Sequence, residues 1–155
     1  MPVSPDFLFQ LASNLVLPGW LLLIFAPRWR VTRWVVGSGA LPLLLAVFYA
    51  ACIGWHYFVT GNARGGFGSL AEVAALFQDP WALLAGWVHY LCFDLAVGAW
   101  VSRDAQRRGV PHALLVPVLL FTFLLGPVGF LLYHLLRRFY PARVPEPMPV
   151  AAALA

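Results

Sequence analysis

The sequence predicts an all-α, polytopic membrane protein: a bundle of four transmembrane helices with a short interfacial helix. Three observations carry this. Of the 155 residues, 62% are hydrophobic and only 10% are charged, whereas a soluble domain is nearer half apolar and a quarter charged. The apolar residues fall into four runs of about 20 residues, each long enough to cross ~30 Å of hydrocarbon. The 10 basic residues are all arginines and collect at the ends of those runs, where they read as membrane-flanking charges. A net charge of +4 placed in this way excludes nucleic acid as a partner. The length allows one domain, expected over residues 1–138. The tail at 139–155, with Pro141, Pro145, Pro147 and Pro149, is expected to be disordered.

The first span is expected over residues 7–26, FLFQLASNLVLPGWLLLIFA, which carries no charge. No basic n-region precedes it and no small-residue cleavage site follows it, so it is expected to stay in the membrane. Pro18 frees the carbonyl of Asn14. Asn14 is itself polar at mid-span, so this face is expected to look into the bundle. Residues 27–33 form a tight basic loop, with Trp29 and Trp34 at headgroup level. The second span is expected over 34–59, bent at Pro42, with Ala46, Ala50 and Gly54 as a small-residue packing face and His56 at the membrane interface.

Residues 60–69 are a glycine-rich loop; lacking a strand before and a lysine after, it is not a phosphate loop. Ser69 and Glu72 have capping-box spacing and open a short interfacial helix over 70–77. That helix reads as an amphipathic connector, with a lid over the bundle as the sharper alternative. Asp79-Pro80 is an N-cap followed by proline at the first helical position, opening the third span over 80–101. A polar, basic loop over 102–112 leads to the fourth span, 113–136, where Pro127 predicts a kink or break that frees the carbonyl of Phe123.

Four spans put both termini on one side. Loops 1 and 3 hold Arg28, Arg30, Arg33, Arg103, Arg107 and Arg108, against Arg64, Arg137, Arg138 and Arg143 opposite. That asymmetry predicts loops 1 and 3 in the cytoplasm; the expected location is the inner (plasma) membrane. The two halves share no repeat, which counts against a repeat-built transporter. Cys52 and Cys92 fall inside apolar runs and read as small buried hydrophobes rather than a disulfide or metal pair.

The chemistry concentrates in Gly86 to Asp104, GWVHYLCFDLAVGAWVSRD. An aspartate at mid-span costs at least ~2.5 kcal/mol to insert, so it must gain something from its surroundings. Helix geometry sets Trp87, Tyr90, Leu91, Asp94 and Gly98 on one stripe. His89 lies about 140° around and ~7.5 Å along the axis from Asp94, so the two can share only a broad cavity. The candidate catalytic residues are Asp94, His89 and Tyr90. Trp87 and Gly98 on the stripe, with Asn14 and Pro127 on neighbouring helices, are the candidate substrate contacts. Burial favours the neutral acid, so Asp94 would donate a proton and His89 accept one. The alternative is that Asp94 ties the bundle together through a helix-end arginine, Asn14 or Thr122. A metal centre drawing on His56, His89, Asp94 and His134 is not expected, because no HxxxH or ExxH spacing is present. In loop 3, Asp104 can pair with Arg107 or Arg108.

GWVHYLCFDLAVGAW, then RDAQRRGVPH, then FTFLLGPVGFLLYHLLR resemble the bacterial branch of the abscisic-acid-deficient-4 family over most of the chain. The plant member is a plastid membrane protein required to make neoxanthin from violaxanthin. The resemblance implies a small four-helix membrane protein and a carotenoid- or isoprenoid-modifying isomerase. Opening an epoxide to an allene and an alcohol needs one proton given to oxygen and one removed from carbon, with no redox cofactor. The expected partners are membrane lipid, an apolar small molecule such as a carotenoid, and a second copy of the chain. The competing readings are a non-catalytic pigment- or lipid-binding protein or scaffold, and a small transporter.

Overall fold

The computed structural model describes residues 4–60 and 65–141. Most of the expected disordered tail, together with Arg64 and Arg143, lies outside the described residues. Among those described there is no strand, and six α-helices follow in order: α1 Pro5–Phe25, α2 Arg30–Thr32, α3 Ala40–Trp55, α4 Leu70–Leu76, α5 Pro80–Arg108 and α6 His112–Leu136. Wider π-helical turns at Arg33–Gly37 and His56–Thr60 extend the second span at both ends. Four stretches, Pro5–Phe25, Arg30–Val59, Pro80–Arg108 and His112–Phe139, are long and apolar enough to cross a membrane. The expected all-α membrane fold is therefore observed.

α5 is the centre of the bundle. α1, α3 and α6 all pack on it. Half of its apolar stretch is buried, against 28% for the first two spans and 33% for the fourth. Its start is set locally: the Asp79 carboxylate accepts from the Trp81 and Ala82 N–H groups, and Pro80 lacks the N–H that a first helical position leaves unused. α1 buries Ala12, Val16, Trp20 and Leu23 against it. α3 presents Leu41, Leu45 and Cys52.

That face of α3 is not the one the small residues predicted. Ala50 is exposed, Ala46 and Gly54 are half-buried, and nothing lies within 4 Å of where a Gly54 Cβ would be. Branched side chains filling the grooves of α5 displaced the close-approach face. Pro42 falls in the first turn of α3, where its missing N–H costs nothing. Cys52 and Cys92 are both buried and free, and the Cys92 thiol donates to the Pro42 carbonyl at 3.2 Å. On α4, Ser69 Oγ accepts from Glu72 N–H as expected, but the Glu72 carboxylate returns to the N–H of Gly68 rather than to that of Ser69.

The largest departure is in α6. A straight helix of 25 residues is about 37 Å long, yet both ends of α6 lie at the Arg108 end of α5. Gly109–Pro111 joins α5 directly to His112, whose Nε2 donates to the Ile24 carbonyl at the end of α1 (2.7 Å). Just past the other end, Arg108 Nη1 donates to the Tyr140 carbonyl (3.1 Å). Between them the backbone leaves helical geometry at Leu125, with φ −143° and ψ 46°. The first arm descends until Phe123 meets Tyr90. The second climbs back, with Phe130 and Tyr133 at Trp100, and Tyr133 at Asp104. α6 is a V, and the two described ends of the chain lie at opposite ends of α5.

Candidate functional site

The Tyr90–Asp94 stripe of α5 meets the apex of that V. Pro127 cannot donate to Phe123, so the first arm ends on free carbonyls. Tyr90 Oη donates to the Phe123 carbonyl at 2.8 Å, with the Leu124 carbonyl at 3.4 Å. The carbonyl expected to be free is thus the one that finds a hydroxyl donor. Pro127 also suits the first turn of the second arm.

Asp94 sits against the start of that second arm. A Cβ at Gly126 would overlap the Asp94 carboxylate, so the carboxylate occupies the space that glycine leaves. Asp94 is only 9% exposed, and its Oδ2 is buried with no hydrogen-bond partner among the described residues. A negative group at a helix start is favoured by the helix dipole, which helps to offset the cost of the buried oxygen. One step further on, Gly129 is pressed against the backbone and hydroxyl of Thr122, whose own Oγ1 donates to the Val118 carbonyl (2.8 Å). The Gly-Pro-x-Gly spacing therefore has a local reason at each defined place: room for a carboxylate, a helix start, and close contact between the arms.

The remaining sequence candidates divide. Trp87 joins the site: its ring lies 5.4 Å from that of Tyr90 and 5.2 Å from that of Phe9. Its Nε1 donates to Ser13 Oγ at 3.0 Å. Gly98 supports the site from the α1 side, because a Cβ there would come within 2.7 Å of the Trp20 ring. Pro127 acts through the backbone and its ring is exposed. His89 does not join. It is exposed and packs beside Phe93 (4.7 Å) and Tyr49 (5.4 Å), on the α3 side and away from Asp94. Asn14 is also exposed, contrary to the inward face expected for it; the inward face of α1 belongs to Val16 and Trp20, which fit the grooves of α5.

Two polar clusters were not anticipated as such. His56 is fully buried rather than interfacial, with its Nδ1 3.0 Å from Asp79 Oδ1. This links the end of the second span to the cap of α5. At the other end, Asp104 Oδ2 accepts from Arg108 Nε and Tyr133 Oη, both at 2.7 Å, with Arg137 Nε at 3.6 Å. The Arg137 guanidinium lies 5.5 Å from the centre of the Trp100 ring. This cluster clamps the returning arm of α6 to α5. Only its Asp104–Arg108 pair is a local i,i+4 contact that spacing could suggest. Among the described residues no group of three His, Cys, Asp or Glu side chains is placed to hold a metal ion.

No curated protein matches the chain, and no solved structure matches it. The family model described as ABA DEFICIENT 4-like matches residues 7–133, a range that runs from the first turn of α1 to the Tyr133 clamp on α6. The chain belongs to the ABA DEFICIENT 4-like family.

Proposed function

We propose that this membrane protein is a cofactor-independent isomerase of carotenoid-type or related isoprenoid substrates, with Asp94 and Tyr90 as its reacting groups. The observation that carries the reading is Asp94 Oδ2, a buried carboxylate oxygen without a hydrogen-bond partner among the described residues, beside a phenol one helical turn away. Family membership supports the substrate class. In an epoxide-to-allene isomerisation, the Asp94 carboxylate takes a proton from carbon as the C–O bond breaks. Tyr90 gives its phenolic proton to the epoxide oxygen. The proton on Asp94 then returns to Tyr90, so atoms and electrons balance with no oxidant or reductant. Tyr90 must leave the Phe123 carbonyl to do this, which makes the α6 break part of the cycle. The rings of Phe9 and Trp87, both exposed, offer an apolar approach from lipid. We place the chain in the inner (plasma) membrane with its arginine-rich end in the cytoplasm.

The test is expression in a host that makes epoxycarotenoids, followed by pigment profiling. The expected product is a new pigment of unchanged mass. Asp94→Asn should lower its yield at least ~100-fold, whereas His89→Ala should retain it because His89 points elsewhere. Unchanged pigments at verified wild-type expression would sink the reading, and pigment that co-purifies unaltered would leave a binding protein.

A further inference from the structure

The arginine-rich end of the bundle holds a cleft that the chemistry above does not use. Thr32 and Arg33 from the first connection face Ser102, Arg103 and Gln106 of α5, over an apolar floor that includes Leu23. The cleft encloses about 180 Å³, room for a phosphoryl group and its first substituents. Its walls are tied by hydrogen bonds rather than left loose. Thr32 Oγ1 donates to the Ala26 carbonyl (2.6 Å). Gln106 Nε2 donates to the Pro27 carbonyl and to Ser102 Oγ (3.2 and 3.3 Å). Arg103 Nη1 donates to the Gly37 carbonyl, which holds the guanidinium across the connection between α2 and α3; its other N–H groups have no partner among the described residues and can bind a ligand.

Among the described residues Arg30, Arg33 and Arg103 make no ion pair, while the adjacent Asp104 is taken by Arg108 and Arg137. A wider groove of about 610 Å³, lined by Arg30, Arg33 and Trp34, opens beside the cleft and shares Arg33 with it. Trp29 and Trp34 are exposed, and exposed tryptophans flanking a span sit at headgroup level. Guanidinium pairs match phosphate oxygens in bidentate geometry.

We propose that this cleft binds the phosphate of an anionic amphiphile, the headgroup of an acidic phospholipid, with Arg33 and Arg103 as its ligands. The apolar floor and the flanking tryptophans favour a headgroup over free phosphate. The full chain, purified in neutral detergent, is titrated with short-chain phosphatidylglycerol, with phosphatidylcholine and with inorganic phosphate, and thermal unfolding is followed by tryptophan fluorescence. Phosphatidylglycerol should raise the midpoint at lower concentration than phosphatidylcholine. R33Q should weaken that response about fivefold, and R33Q/R103Q should abolish the preference. The Arg33 side chain makes no hydrogen bond or ion pair among the described residues, and its backbone N–H, which bonds to the Trp29 carbonyl, is kept in R33Q, so that variant tests binding without disturbing the fold. R107Q, outside the cleft, should behave as wild type. Inorganic phosphate acting with the same arginine dependence would support the site with a soluble source instead. Equal responses to the two lipids, or an R33Q/R103Q variant that keeps the preference, would overturn it.

Discussion

Gly126 decides what the site can be. Its missing side chain is the space in which the Asp94 carboxylate lies, and that carboxylate is buried, with little room to retreat. Gly126→Ala should therefore cost about 1–3 kcal/mol through overpacking, with the V of α6 opening to relieve it. Removing the carboxylate removes the clash, so the cost of Gly126→Ala in an Asp94→Ala background should fall well below its cost in the wild type. A double-mutant cycle on unfolding in detergent reads the difference as a coupling energy. Additive effects would mean that the two residues do not meet. Each half of this pair was legible, but their contact was not. A mid-span aspartate announces an unusual environment, and Gly-Pro announces a break. Only the packed structure shows that one fills the space the other leaves, because 32 residues and a loop separate them.

At the scale of elements, the helices were legible because hydropathy and caps are local, and their facing was not because it is set by partners. Asp79-Pro80 reads as a helix start from sequence, and Asp79 caps α5 as expected. That His56 reaches the same carboxylate has no sequence signal, since the partner lies 23 residues on. The cap has a pH signature. Burial pushes the Asp79 carboxyl up, but the N–H groups of Ala82 and Trp81, with His56, outweigh it and hold the group below the usual carboxylate range. A lowered folded value means stability that is present above the unfolded-state value, near pH 4, and lost as pH falls through the folded one. Asp79→Asn keeps a capping oxygen and loses the titration. Its stability deficit relative to wild type should close as pH drops from neutral to about 3, whereas Asp79→Ala should cost about 0.5–2 kcal/mol at neutral pH. Unfolding midpoints across pH measure both. A deficit that widens in acid would reverse the assignment.

The whole molecule is more asymmetric than four straight spans allow. Four full crossings set Arg137 and Arg138 opposite loops 1 and 3, and the kink or break that Pro127 predicts does not by itself signal a reversal. The reversal needs three partners at once: Tyr90 on the carbonyls of the first arm, Asp94 at the start of the second, and Gly129 letting the arms touch. With the second arm turned back, Arg137 meets Asp104. The described arginines of both connections and of the α6 end then gather at one end of the bundle, leaving Asp6 and Gln78 at the other. This strengthens the charge bias that orients a membrane protein and concentrates the cations around the cleft of Arg33 and Arg103. It also makes the topology directly measurable. Single cysteines at Asp6, Gln78, Arg107 and Arg138, all exposed positions, can be probed with a membrane-impermeant thiol reagent; the native Cys52 and Cys92 are buried. A re-entrant α6 requires Arg107→Cys and Arg138→Cys to label from one side of the membrane, and Asp6→Cys and Gln78→Cys from the other. Labelling of Arg138→Cys together with Asp6→Cys would instead mean that α6 crosses as a straight span. The arms would then part at Leu125, and the contacts of Tyr90 and Asp94 with its apex would have to be rebuilt.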